Sequence, residues 1–307
     1  MKPLFTPLGR RTLLGGLAAG LLSACSRPSA NARGSDKERD GGDQLAALQS
    51  STGGMLGAYI LDTQSQKGFG INEAQRFPHC SSFKLSLAAL ILQQADKGNL
   101  DLDERIHYTE ADLMFVSPVT TRNLEKGMTL EELAKATQTT SDNAAANILL
   151  HRLGGPEVLT GFWRSIGDSV SRLDKTEPAL NKVEPGAVHD TTTPQAMAHT
   201  LSRLLTGDVL SDNSRAKLWT WMQETRTGLD RIRAGLPQDW SAGDKTGTFF
   251  QDGVGSTYVD IAFVRPPDSA PLAITAYYRT SDFHKKMEPE TLAILAKIGE
   301  IAHEWVA

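Results

Sequence analysis

The sequence predicts an α/β (α+β) fold in two parts. One is an antiparallel sheet flanked by helices and assembled from both ends of the chain; the other is an all-α domain inserted between them. Three observations carry this. Residues 55–62 alternate as a strand does, and 68–72 can pair with them as a hairpin. Signals over 81–228 are mostly helical. Strand character returns at 258–264 and 272–279, followed by a helix with Leu292, Leu295, Ile298, Ala302 and Trp305 on one face. The expected boundaries are 43–79 with 224–307 for the sheet domain and 80–223 for the all-α domain.

Each element has a local cause. Leu45 and Leu48 mark a short first helix. Residues 81–96 place Leu85, Ala88, Ala89 and Leu92 on one helical face. Helices at 130–137 and 144–153 follow, the second stopped by Gly154 and Gly155. No internal repeat is present.

The N-terminus reads as an address. Arg10 and Arg11 precede an apolar run from Leu13 to Ala24 that contains no acidic residue. This is a signal-peptide layout, too short for a convincing membrane span. The arginine pair with Leu13 and Leu14 resembles a twin-arginine export signal, the general export route being the alternative. Leu22-Ser23-Ala24-Cys25 resembles a bacterial lipobox, which makes Cys25 the expected lipidation site; a plain cleaved signal is the other reading. Residues 26–42 hold no large apolar side chain and are expected to form a disordered tether. The implied location is exported, periplasmic or held at a membrane by a lipid anchor.

Composition removes several function classes. A formal net charge of -4 argues against a nucleic-acid surface. Two cysteines, Cys25 and Cys80, cannot build a disulfide scaffold or a cysteine zinc site. The histidines show no H-x-H or H-E-x-x-H spacing, so no metal site is expected.

Four segments can carry chemistry. Ser81 and Lys84, three apart, share one helical face. A serine hydroxyl needs a neighbouring base, and a buried amine can serve as one. The S-x-x-K pattern is weak alone and recurs at Ser214–Lys217. Ser141-Asp142-Asn143 opens a helix, where capping is the simplest role, and it too has a copy at Ser211-Asp212-Asn213. That copy directly precedes the second S-x-x-K. Two motifs on one helix start cannot surround a substrate, so Ser211 reads as a cap for a helix burying Leu218, Trp219 and Met222. Lys245-Thr246-Gly247-Thr248 occurs once, where strand character resumes. A lysine and hydroxyls on a strand edge can bind a carboxylate, although an exposed strand end would look the same. Glu177 and Asn181, in a long loop rich in proline and charge, could hold and activate a water; a surface glutamate is the plainer reading.

Taken in order, FPHCSSFK (77–84), SPV (117–119), SDNAAANILL (141–150), RLDKTEPALN (172–181), DTTTP (190–194), DRIRAGLP (230–237) and GDKTGT (243–248) resemble the class A serine β-lactamases. S-x-x-K, S-D-N and K-T-G are shared with penicillin-binding proteins; E-P-x-L-N points to class A. The resemblance implies the two-domain fold of that superfamily from about residue 45 onward, and hydrolysis of β-lactam antibiotics without a cofactor. It implies Ser81 as nucleophile, Lys84 and Glu177 as proton acceptors, and Glu177 with Asn181 as holders of the deacylating water. Ser141 would pass a proton to the departing nitrogen and Asn143 would bind the substrate's side-chain amide. Lys245, Thr246, Thr248 and Arg231 would hold the substrate carboxylate. Backbone N–H groups of Ser81 and Thr248 would form the oxyanion hole. A cis Glu177–Pro178 bond is also implied. The chain is expected to act as a monomer.

A D,D-peptidase built on the same Ser81, Lys84, Ser141 and Lys245 is the alternative, against which Glu177 argues. A β-lactam sensor would need a membrane span, and a plain lipoprotein would leave the ordered motifs as coincidence. Some positions depart from the family pattern. The loop-closing salt bridge would be Lys175 with Asp190, and lysine lacks arginine's planar fork. Val116 stands where an aromatic is common, with Phe115 beside it. Cys80 has no cysteine partner because Phe249 occupies that position, so it is expected to be a buried small residue. Residues 249–256 are longer than usual.

Overall fold

The computed structural model describes residues 30–307, with side chains from Asp36 onward; the export signal and Cys25 lie outside the described residues. Chain order begins with α1 (Ala30–Ser51), β1 (Met55–Asp62) and β2 (Gly68–Ile71). A two-residue strand β3 (Phe77–Pro78) leads into a 3-10 turn, Cys80–Ser82, and α2 (Phe83–Asp96). Next come β4 (Arg105–Ile106), α3 (Pro118–Arg122), β5 (Met128–Thr129), α4 (Leu130–Thr139), α5 (Asn143–Leu153) and α6 (Glu157–Ser165). After a long loop follow β6 (Thr191–Thr192), α7 (Pro194–Thr206) and α8 (Asp212–Glu224). The chain closes with β7 (Ser241–Gln251), β8 (Gly255–Arg265), β9 (Leu272–Arg279) and α9 (Pro289–Val306).

Five strands form one antiparallel sheet in the order β2-β1-β9-β8-β7, so strands from the two chain ends meet at the β1–β9 seam. The seam runs in register from Met55 opposite Arg279 to Asp62 opposite Leu272. Both faces are covered, which explains why Leu56 to Leu61 are all buried. Strand period two sends Leu56, Ala58 and Ile60 to a core shared with Leu45, Leu295 and Ile298, and sends Tyr59 and Leu61 to the larger core around α2. The hairpin strand at 68–71 and the last helix form as their patterns predict.

Helix α2 is the axis of the helical part. Its residues Phe83 to Gln93 are buried all round, so no amphipathic stripe is visible. Helix α5 ends at Gly154, whose φ of 104° is the left-handed cap that favours glycine. Helix α7, within 80–223, lies on the sheet: Thr275 Oγ1 donates to the Pro194 carbonyl at 2.9 Å. Among the described residues, no helix is long and apolar enough to cross a membrane.

One expectation is corrected and one alternative is removed. The tether does not reach residue 42: α1 already includes this polar stretch, with Gly41 packed on the Phe69 ring and Leu45 buried. A Lys, Arg, Asp and Glu run is compatible with a helix once a neighbouring turn is anchored on the sheet. The K-T-G segment is not a strand end. It lies inside β7, an edge strand of the sheet, with Lys245 opposite Ile261 and Thr246 opposite Asp260. The long 249–256 segment is the end of this hairpin, turning at Asp252-Gly253-Val254.

Candidate active site

Ser81 sits in the 3-10 turn immediately before α2, so Lys84 follows it in the first turn of the same axis. Lys84 Nζ lies 3.0 Å from Ser81 Oγ. It also donates to the Ser141 carbonyl at 3.0 Å and reaches Ser141 Oγ at 3.4 Å. Burial pushes the Lys84 ammonium below the ordinary lysine range, and the Glu177 carboxylate opposes that shift.

Ser141 arrives from a different element. It precedes α5 in a left-handed conformation, φ 59°. Asp142, not Ser141, is the cap, accepting from Ala145 N at 2.9 Å. The buried Asp142 carboxylate also takes the N–H groups of Val119 and Thr120 at 2.9 and 3.0 Å, locking the 117–120 segment to α5. Asn143 turns its Oδ1 to Lys84 Nζ and donates from Nδ2 to the Phe115 carbonyl at 2.8 Å. Phe115 is 89% exposed and Val116 beside it has φ 60°, so both stand at the rim.

Glu177 closes the third side. Its Oε1 lies 3.0 Å from Lys84 Nζ and 3.5 Å from Ser81 Oγ; its Oε2 accepts from Asn181 Nδ2 at 2.7 Å. It is buried, which removes the surface reading. The Glu177–Pro178 bond is cis. Asn147, a residue not singled out from sequence, grips Glu177 by both backbone groups: Glu177 N donates to Asn147 Oδ1 at 3.0 Å and Asn147 Nδ2 donates to Glu177 O at 2.9 Å. Its one visible signal is the spacing of four from Asn143, which places both on one face of α5.

The loop is closed by Asp190 more than by lysine. Asp190 Oδ1 accepts the N–H groups of Asp174 and Lys175 at 2.8 and 3.0 Å, while Lys175 Nζ stays 3.8 Å away and half exposed.

Strand β7 forms the fourth side. Lys245 Nζ lies 3.2 Å from Ser141 Oγ, linking K-T-G to S-D-N. Burial drives the Lys245 ammonium well below its usual range, and the nearby Lys84 charge adds to the shift. Gly247 allows contact with the Ser81 turn: a Cβ there would stand 2.9 Å from Ser81 N. Arg231 lies behind β7, donating to the carbonyls of Gly247 at 3.0 Å and Val259 at 2.6 Å and to Thr248 Oγ1 at 2.7 Å. Thr246 Oγ1 is 2.7 Å from Thr227 Oγ1. Asp260 Oδ2 accepts from Ile232 N at 3.1 Å and so anchors the turn bearing Arg231. Asp244 faces Arg233 at 3.5 Å, and burial raises its carboxyl to about 6. Neither aspartate belongs to a spacing that would have marked it.

All ten residues expected to act on substrate therefore converge, except that Asn143 and Asn181 already spend donors inside the site. Cys80 is buried and free, its thiol pushed up to about 12 by burial. The second S-D-N is elsewhere: Ser211 caps α8, accepting from Ser214 N at 3.2 Å.

Comparison with known proteins agrees with this arrangement. Residues 42–306 match the Beta-lactamase enzyme family. The chain is 42% identical over 255 residues to β-lactamase OXY-2 of Klebsiella oxytoca, covering 83% of this chain and 87% of that protein. It is 41% identical to an imipenem-hydrolyzing β-lactamase of Enterobacter cloacae, covering 84% and 87%. Among solved structures, an ancestral (GNCA) class A β-lactamase is 47% identical with a TM-score of 0.81, covering 86% of this chain and 99% of that one. The D,D-peptidase alternative gains no support from these relatives. Similarity at this level over nearly the whole described chain places the protein in the class A serine β-lactamase family, enzymes that hydrolyse β-lactams.

Proposed function

We propose that Ser81 Oγ attacks the β-lactam carbonyl and gives its proton to the Lys84–Glu177 pair. The observation that carries this is the packing of Lys84 Nζ and Glu177 Oε1 around one hydroxyl, at 3.0 and 3.5 Å. The tetrahedral oxygen is held by the N–H groups of Ser81 and Thr248. On collapse the ring C–N bond breaks, and Ser141, fed by Lys84 and Lys245, protonates the nitrogen. Lys245, Thr246, Thr248 and Arg231 bind the substrate carboxylate, and Asn143 binds the side-chain amide after releasing a present partner. A water held by Glu177 and Asn181 then loses its proton to Glu177 and attacks the ester, freeing Ser81 and the opened acid.

The test is benzylpenicillin hydrolysis by purified residues 30–307, with intact mass followed from milliseconds to minutes. Many turnovers with free enzyme recovered support this cycle. A lasting one-to-one adduct on Ser81 would show that Glu177 does not deacylate.

The same reading extends to location. The Arg10-Arg11 signal exports the chain, Cys25 is lipidated and the Ala24–Cys25 bond is cut so that Cys25 becomes the first residue, and the monomeric enzyme works as a membrane-held periplasmic protein that protects the cell from β-lactams. Cys25→Ser should move the protein from the membrane to the soluble fraction; unchanged fractionation would remove the anchor.

A further inference from the structure

Seven methionines occur in the chain. Met128, Met197 and Met222 are buried in the core. Met287 is different: it is 52% exposed, in the 280–288 loop that joins β9 to α9, and its thioether is a hydrogen-bond acceptor for the active site. Arg231 Nη2 reaches Met287 Sδ at 3.6 Å while donating to Thr248 Oγ1 at 2.7 Å. One nitrogen of the guanidinium assigned to the substrate carboxylate is thus shared with the sulfur of a half-exposed methionine.

We propose that Met287 is an oxidative modification site that controls substrate binding through Arg231. The reaction is two-electron oxidation of the thioether by a peroxide. The O–O bond breaks, an S–O bond forms, and hydrogen peroxide leaves as water. A thioether is a weak acceptor, whereas a sulfoxide oxygen is a strong one. Placed one bond beyond a sulfur 3.6 Å from Nη2, that oxygen falls within hydrogen-bond reach of the guanidinium. It then competes with the substrate carboxylate for the same donor. A dithiol reductant, acting through a methionine sulfoxide reductase, restores the thioether: the S–O bond breaks, the oxygen leaves as water and the dithiol becomes a disulfide.

Other sulfurs do not offer this route. Met55, 43% exposed, lies at the start of β1 and has no side-chain partner at the site, so it is an internal control for oxidant access. Met114 contacts Asn147 Nδ2 at 3.7 Å, on the Glu177 side, where oxidation would act on deacylation rather than on carboxylate binding. Cys80 is buried with its thiol protonated.

This inference rests on Arg231 holding the substrate carboxylate, so Arg231→Ala is measured alongside. The purified enzyme is treated with graded hydrogen peroxide. Oxygen addition at Met55, Met114 and Met287 is read by peptide mass, and kcat and KM for benzylpenicillin are read on the same samples. KM should rise in step with Met287 oxidation, by about threefold to tenfold for partial loss of a charged hydrogen bond. Met287→Leu should lose that peroxide response, its KM after oxidant matching its own untreated value, since a leucine fills similar space without a sulfur to oxidise. Met287→Gln, whose amide oxygen imitates the sulfoxide, should raise KM without oxidant. The proposal is overturned if Met287 is oxidised with KM unchanged, if Met287→Leu responds as the parent does, or if Met55 oxidises while Met287 does not. An unchanged KM in Arg231→Ala would instead overturn the carboxylate assignment beneath it.

Discussion

Lys84 Nζ and Glu177 Oε1 lie 3.0 Å apart, both side chains almost wholly buried, and the Ser81 hydroxyl completes a triangle with them at 3.0 and 3.5 Å. The pair joins two elements far apart in the chain, the first turn of α2 and the long loop before β6. A buried ion pair of this kind is costly to break from one side, because the survivor is left charged and unpartnered. The pair is therefore weak evidence for stability, and its geometry is the one that the proposed proton transfer needs.

The first prediction concerns its carboxylate. Glu177→Ala should still react with benzylpenicillin but should stall as the acyl-enzyme, with steady-state kcat lowered by about a thousandfold or more. Intact mass would show a penicillin-sized increase persisting on Ser81. Parent-like turnover would remove Glu177 from the cycle.

The two S-D-N copies separate cleanly. Ser211→Ala should leave kcat/KM unchanged and cost about 1 kcal/mol of stability through loss of the α8 cap. Ser141→Ala should retain the fold and lower kcat by about a hundredfold or more, because Lys84 and Lys245 both address its hydroxyl. Kinetics and urea melts on the two variants check both statements; the opposite pattern would exchange the roles.

Loop closure should depend on the aspartate rather than the lysine. Lys175→Ala should change stability by less than about 1 kcal/mol, since its ammonium is half exposed and 3.8 Å from Asp190. Asp190→Ala should cost about 2 kcal/mol or more and slow deacylation, because the N–H groups of Asp174 and Lys175 lose their acceptor. Equal effects in thermal melts and in acyl-enzyme decay would contradict the geometry.

Stability should also fall in mild acid for a reason outside the reacting groups. His79, two residues before Ser81, is fully buried and stacked on Trp163 at 4.9 Å. Burial lowers its pKa from 6.5 to about 4; Asp168 opposes the shift and Arg76 adds to it. Above pH 6.5 the ring is neutral whether the chain is folded or not. As pH falls towards 4 only the unfolded chain takes the proton, so stability is lost across that window, by an amount on the order of 3 kcal/mol. His79→Phe, which keeps an aromatic ring on Trp163, should lose less stability between pH 7 and 4 than the parent does. Parallel curves in calorimetry would exclude His79 as the source.

Much of this protein was legible in its sequence because its chemistry is local. Ser81 with Lys84, and Glu177 with Asn181, are set by spacing within one turn or one short loop. The strand pair at β1–β2, the left-handed stop at Gly154 and the Ser211 cap depend on neighbours in the chain. The order of strands, helices and strands was also sufficient to bring both chain ends into one sheet. Tertiary structure decided the rest. Residues 30–42 carry no apolar pattern of their own, and the helix there follows from the anchoring of Leu45. Lys245 is buried mid-strand because β7 packs on the turn at Ser81, a contact no spacing encodes. Asn147, Asp142, Asp260 and Met287 act on segments between roughly twenty and sixty residues away in the chain, through hydrogen bonds that exist only once those segments meet. Short-range geometry follows from covalent connection, whereas burial and partner choice are set by which distant surfaces the collapsed core brings together.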